Sequence, residues 1–121
     1  MDFRSHLARY SDKCSEQSLK VLSPTAVCPR DGLVFVHAPW SGFSVAAFVN
    51  LVEILHEKQR GPELFVVDAD KPPCWASEAM SLDGYGELFV LKRGWVVGTF
   101  VGDNSSDFKP RLRSLLSEHI A

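Results

Sequence analysis

The sequence is poor in cysteine, and its three cysteines stand far apart. Cys14, Cys28 and Cys74 form neither a Cys-x-x-Cys pair nor the paired spacing of a zinc site. We therefore expect reduced thiols, although a disulfide between Cys28 and Cys74 stays open, because sequence alone does not fix the distance between two Cα atoms. His56 and His119 also lack the spacing of metal ligands. We expect no metal and no cofactor.

Long hydrophobic runs and clusters of basic residues are absent too. No apolar stretch approaches the ~20 residues that a membrane-spanning helix needs. The net charge is -2 and the basic residues are scattered, which argues against nucleic acid or a membrane as partner. Residues 1–6 show no basic segment leading into an apolar one, so we expect no secretory signal and a cytoplasmic location.

What remains is the composition of one globular domain. The chain has 121 residues, of which 45% are hydrophobic, enough for a single core. Apolar, β-prone runs predict buried strands over 33–37 and 63–69. Each is followed by a helical pattern, a long one over 45–60 that ends at Gly61-Pro62 and a short one over 74–81.

The rest of the pattern predicts a hairpin and a closing helix. Strands over 87–92 and 95–101 flank the two-residue turn Arg93-Gly94. A stripe of apolar residues then predicts the last helix: Phe108, Leu112, Leu115, Leu116 and Ile120. Residues 1–31 are less distinct. They favour a short helix over 2–10, while 19–22 fits either a strand or the end of a second helix.

The turn from Ala38 to Ser44 joins the first buried strand to the long helix. Helix N-termini present unpaired N–H groups and the positive end of the helix dipole, so Ser41 or Ser44 can cap this helix. A hydrolase would need His37 to reach Ser41 and a third group to orient the imidazole. The stretch does not match the G-x-S-x-G nucleophile elbow, and helix capping is the favoured interpretation.

These features resemble the thioredoxin family over residues 32–121. Trp40 and Gly42 match the family's Trp-Cys-Gly-Pro-Cys motif at the start of the long helix. Further matches are Asp68 and Asp70 at a strand end, the turn at Lys92-Arg93-Gly94, and Gly102 after the last strand. The resemblance implies a single α/β domain over 1–121, a three-layer sandwich with helices on both faces of a mixed sheet. Residues 1–31 diverge from the family pattern.

Every residue that the family's chemistry uses is changed. By the resemblance, Ser41 and Ser44 occupy the two cysteine positions and Phe43 replaces the proline between them. Gly86 stands at the cis-proline position, and Phe35 replaces a buried aspartate. Dithiol exchange needs an attacking thiolate and a resolving thiol, which serine does not supply. We therefore expect no disulfide-reductase activity from this turn.

The resemblance also suggests what this face of the molecule does. Trp40, Phe43, Tyr85 and Gly86 would form an aromatic surface that binds an extended peptide. Our leading hypothesis is a redox-inactive module that binds a protein or peptide, as a monomer or weak homodimer. The alternative is an atypical thiol-disulfide oxidoreductase that uses Cys74, at the start of a short helix, or Cys28.

Overall fold

The computed structural model of the protein describes residues 19–56, 63–79, 86–101 and 108–119. Within these residues the predicted alternation of strands and helices is present. The elements are β1 (Leu19–Leu22), β2 (Gly32–His37), α1 (Gly42–His56), β3 (Leu64–Asp68), α2 (Cys74–Ala79), β4 (Glu87–Lys92), β5 (Trp95–Val101) and α3 (Phe108–His119).

The five strands form one mixed sheet in the order β1-β3-β2-β4-β5. The pairs β1–β3 and β2–β3 are parallel, whereas β2–β4 and β4–β5 are antiparallel. Residues 19–22 are therefore a strand and not the end of a helix. Their partner is β3, with Leu19 paired to Leu64 and Leu22 to Val67.

Alternate residues of the central strands point into two separate cores. On one face, α1 and α3 cover Leu33, Val66 and Leu88, with Phe48 of α1 fully buried among them. On the other face, α2 and the segment around Cys28 cover the residues between these positions: Val34, Val36, Phe65, Val67, Phe89 and Leu91. Burial on both faces explains the continuous apolar runs of β2 and β3.

The hairpin turn has the predicted two residues. Arg93 and Gly94 have φ values of 54° and 82°, and positive φ at both central positions is the mark of a type I′ turn. The loop before β2 holds this turn through two hydrogen bonds. Asp31 Oδ1 accepts from the Arg93 N–H, and the Arg30 carbonyl accepts from the Gly94 N–H.

Several sequence predictions fall outside the described residues: the helix over 2–10, the helix end at Gly61, Cys14, Tyr85, Gly102 and Ile120. Helix α1 begins at Gly42 rather than at the predicted Val45. Among the described residues, none of the helices combines the length and apolar character that crossing a membrane requires.

Candidate functional site

Ser41 immediately precedes helix α1, which begins at Gly42. The Ser41 backbone N–H donates to the Ala38 carbonyl at 3.0 Å, and its own carbonyl accepts the first helical hydrogen bond from the Val45 N–H. Its Oγ lies 3.4 Å from the Ser44 backbone nitrogen, which donates to it. A serine that accepts from the third residue of the following turn is an N-cap. This cap explains why the helix begins at Gly42, earlier than apolar periodicity indicates.

Ser44 has a different role. Its side chain is fully buried, and its Oγ accepts from the Ala38 backbone N–H at 2.9 Å. The same Oγ lies 2.9 Å from Nδ1 of His37. Ser44 therefore ties the first turn of α1 to the end of β2. Of the two serines that could cap the helix, Ser41 does so and Ser44 links helix to strand.

His37 is the last residue of β2, and it is buried rather than open to solvent. Its ring is fully buried and packs against Phe48 and Phe35, with centroid distances of 5.2 and 5.7 Å. The imidazole contacts Ser44 rather than the Ser41 that a hydrolase hypothesis would use. A nucleophile must meet its substrate, and the hydroxyl of Ser44 and its histidine partner are both sealed from solvent. This pair is a structural tie.

Loss of the Ser44 hydroxyl should destabilise the fold. We expect Ser44→Ala to lower the free energy of unfolding by about 2–4 kcal/mol, because a buried N–H and a buried imidazole nitrogen each lose a partner. The matched control is Ser41→Ala, which removes only a cap and should cost about 1 kcal/mol. Urea denaturation of the three proteins measures both losses. Equal losses would contradict the assignment of Ser44 as the link between helix and strand.

Trp40 lies in the turn, and 67% of the residue is exposed. Its Nε1 donates to both carboxylate oxygens of Asp70, at 3.2 and 3.1 Å. Asp70 is itself fixed, because its backbone N–H donates to Oδ1 of Asp68 at 2.9 Å. The indole is thus held between the ends of two parallel strands. Sequence reasoning noted both aspartates as a strand-end feature but did not pair either with Trp40, thirty positions away.

Phe43 stands beside the cap, in the first turn of α1, and 47% of it is exposed. Trp40 and Phe43 together are called the aromatic surface below. These two large aromatic side chains are three positions apart and both open to solvent, and exposed apolar surface is more informative about function than buried apolar surface. Tyr85, the third predicted member of this surface, lies outside the described residues.

Gly86 packs directly on this turn. It is buried and has a φ of +83°, and a Cβ built on it would lie 2.7 Å from the Ala47 Cβ and 3.1 Å from the Ser44 Cα. The Phe35 ring lies 3.3 Å from the same point. Glycine is needed here for two reasons, a left-handed backbone and the lack of space. The adjoining Glu87 is a buried carboxyl group that sequence reasoning did not single out.

The two described cysteines, Cys28 and Cys74, are more than ten positions from Ser41 and Ser44 in the sequence, and they differ from each other in exposure. Cys74 is exposed and is the first residue of α2. Cys28 is half-buried, its thiol donates to the Pro29 carbonyl, and burial raises its pKa. A raised pKa lowers the thiolate fraction and so opposes nucleophilic chemistry at Cys28. Across the described part of the chain, no three potential metal ligands come together.

Comparisons with known proteins place this geometry in context. The sequence matches no protein-family profile and no curated protein. The structure resembles Malassezia sympodialis thioredoxin (Mala s 13), at 20% identity and a TM-score of 0.60, over 87% of this chain and 93% of that one.

Two further solved structures are similar. The reduced thioredoxin pre-protein of Schistosoma mansoni is 22% identical, with a TM-score of 0.60 over 86% of this chain and all of the other. Thioredoxin f2 of Chlamydomonas reinhardtii is 17% identical, with a TM-score of 0.63 over 85% and 97%. The mixed sheet with helices on both faces and these three likenesses show that the chain has the thioredoxin-like α/β fold.

Proposed function

We propose that the protein is a redox-inactive thioredoxin-like module that binds a protein or peptide segment through the aromatic surface. The observation that carries this proposal is the exposed indole of Trp40, held by the Asp70 carboxylate beside the exposed ring of Phe43. Both stand over a turn whose two serines serve as a helix cap and a buried tie.

Loss of redox chemistry follows from the residues at the turn. We propose that Ser41 and Ser44 stand where the family has its two cysteines, because they flank a helix start after Trp40 with the same spacing. A serine hydroxyl forms no disulfide and is not ionised without a base. The Ser44 hydroxyl, buried against His37, is committed to the fold.

A binding role is supported by the fixed orientation of the exposed Trp40 indole. A tryptophan held in one orientation loses little conformational entropy when a partner covers it, which is why such residues dominate binding energy at interfaces. The hydrogen bonds to Asp70 fix the indole before any partner arrives. An extended peptide suits the site, because its two aromatic side chains are three positions apart, on the turn and at the helix start, and side chains of an extended segment can contact both.

The experiment is peptide selection with matched variants. Peptides selected from a random phage-displayed library on the wild-type protein are tested by fluorescence anisotropy against Trp40→Ala/Phe43→Ala. Two central aromatic anchors are worth about 2 kcal/mol each, or about 4 kcal/mol together, so affinity should fall roughly 700-fold.

The matched control is Trp95→Ala, which removes an equally exposed tryptophan on β5. It should leave affinity for the selected peptides unchanged. Circular dichroism melting confirms that each variant is folded. Peptides that bind the double aromatic variant as well as the wild type would refute the proposed site.

A further inference from the structure

The two edges of the sheet differ sharply in how they are protected. Among the described strands, β1 pairs only with β3 and β5 pairs only with β4. Strand β1 has four residues, and its exposed Lys20 forms an ion pair with Glu63. A short edge strand that bears a lysine resists pairing with another chain. Strand β5 has seven residues, Trp95-Val96-Val97-Gly98-Thr99-Phe100-Val101, with no charge and no proline.

The side chains of β5 expose apolar surface on the α2 side of the sheet. Val96, Thr99 and Val101 pair with Leu91, Phe89 and Glu87 of β4. Because paired residues of antiparallel strands share a face, these three lie on the face of Phe89 and Leu91, which is the α2 side. All three are exposed, Val101 by 50%. The outer strand therefore exposes two valines, with Thr99 between them, beside the edge that pairs with no other described strand.

We infer that β5 is a homodimer interface, at which two copies of the chain join their sheets by antiparallel pairing of this strand. A two-fold axis near Thr99 places the strand against itself, as an isologous interface requires. The bulge in β5 falls at Val97, between the residues that pair with Val90 and Leu91, and residues 98–101 keep a regular register with β4, so Thr99 lies in the regular part of the strand.

The charges that flank β5 in the sequence favour the second copy and the antiparallel direction. Lys92 and Arg93 come just before β5, and Asp103 follows its last residue by two positions in the sequence. In an antiparallel pair the basic end of one copy meets the end of the other that leads to Asp103. A parallel pair would bring like charges together, which is destabilising. A seven-residue edge gives a small interface, so the dimer is weak.

Sedimentation velocity of the full chain over a wide range of concentration tests this interface. We expect the wild type to pass from monomer to dimer as concentration rises. Val101→Lys should raise the dissociation constant at least about tenfold, because a lysine on an edge strand opposes pairing. The matched control is Val27→Lys, the same change at a residue that is 86% exposed outside any strand, and it should leave the dimer unchanged. Lys92→Glu should also weaken the antiparallel dimer.

Each contrary result removes the inference. A wild type that stays monomeric throughout overturns it, as does a dimer that Val101→Lys leaves intact or that Val27→Lys weakens equally. A dimer strengthened by Lys92→Glu overturns the antiparallel direction. A dimer lost in Trp40→Ala/Phe43→Ala but kept in Val101→Lys would assign self-association to the aromatic surface instead. The peptide-binding result is independent, because it concerns residues at the start of α1 and not β5.

Discussion

Gly86→Ala is expected to lower the free energy of unfolding by about 2–5 kcal/mol. Part of this loss is backbone strain, because alanine rarely adopts a φ near the +83° observed at Gly86. The larger part is steric, since the new Cβ would stand 2.7 Å from the Ala47 Cβ and 3.1 Å from the Ser44 Cα. Folded domains are stable by only about 5–15 kcal/mol, so this single methyl group removes a large part of the free energy of unfolding.

Gly94→Ala separates the two causes. Gly94 has almost the same φ, +82°, but a Cβ there meets nothing within 4 Å. Its substitution should cost only the strain, about 1–2 kcal/mol. Urea denaturation gives the loss in unfolding free energy for each variant, and the difference between the two losses is the steric contribution at position 86. Equal losses at the two positions would show that strain alone restricts position 86.

Proline at position 86 should be worse than alanine. The proline ring fixes φ near −65°, whereas Gly86 requires a positive value. We expect the Gly86→Pro protein to lose its cooperative unfolding transition. The chain therefore needs a positive φ at position 86, which the resemblance to thioredoxins matches to a cis-proline. Gly86 packs against Ser44 and Ala47 of α1, the helix whose first turn carries Phe43.

Local rules predicted the sheet and its hairpin well. The runs in β2 and β3 are continuous and apolar because both of their faces are buried, and the turn residues Arg93 and Gly94 adopt the backbone that such turns need. Strand β1 was ambiguous for a physical reason. Its four residues are too few to show a helical or a strand-like pattern of apolar residues. They form a strand because they pair in parallel with β3, more than forty positions away.

The candidate site was predictable in position but not in its contacts. A strand followed by a turn and a helix marked residues 38–44, and a serine cap was expected there. The sequence did not show that the Ser44 hydroxyl contacts His37 and the Ala38 N–H instead of capping the helix, because the burial of His37 against Phe35 and Phe48 is set by tertiary packing. The bond from Trp40 to Asp70 likewise joins two loops that only the β2–β3 pairing brings together.

The turn should accept a disulfide if cysteines are placed at both serine positions. Residues i and i+3 at a helix start have Cα atoms roughly 5 Å apart, within the usual range of about 4.4–6.8 Å for a disulfide. The Ser41 Oγ already reaches the Ser44 backbone nitrogen, so a thiol at position 41 would feel the helix dipole, which lowers its pKa. We therefore expect Ser41→Cys/Ser44→Cys to oxidise to an intramolecular disulfide.

The measurement uses a background in which Cys14, Cys28 and Cys74 are changed to serine. Mass spectrometry after mild oxidation should show the double variant lighter by two hydrogens, with no free thiol, whereas Ser41→Cys alone keeps its thiol. Insulin reduction in the presence of dithiothreitol should rise above the rate with dithiothreitol alone for the double variant and stay at that rate for the wild type. Reductase activity in the wild type would refute the redox-inactive proposal, and it would have to come from one of the three cysteines, because neither serine carries out thiol exchange. A double variant that keeps two free thiols would refute the assignment of Ser41 and Ser44 to a dithiol geometry, and the aromatic surface would then have to be explained without any likeness to a redox site.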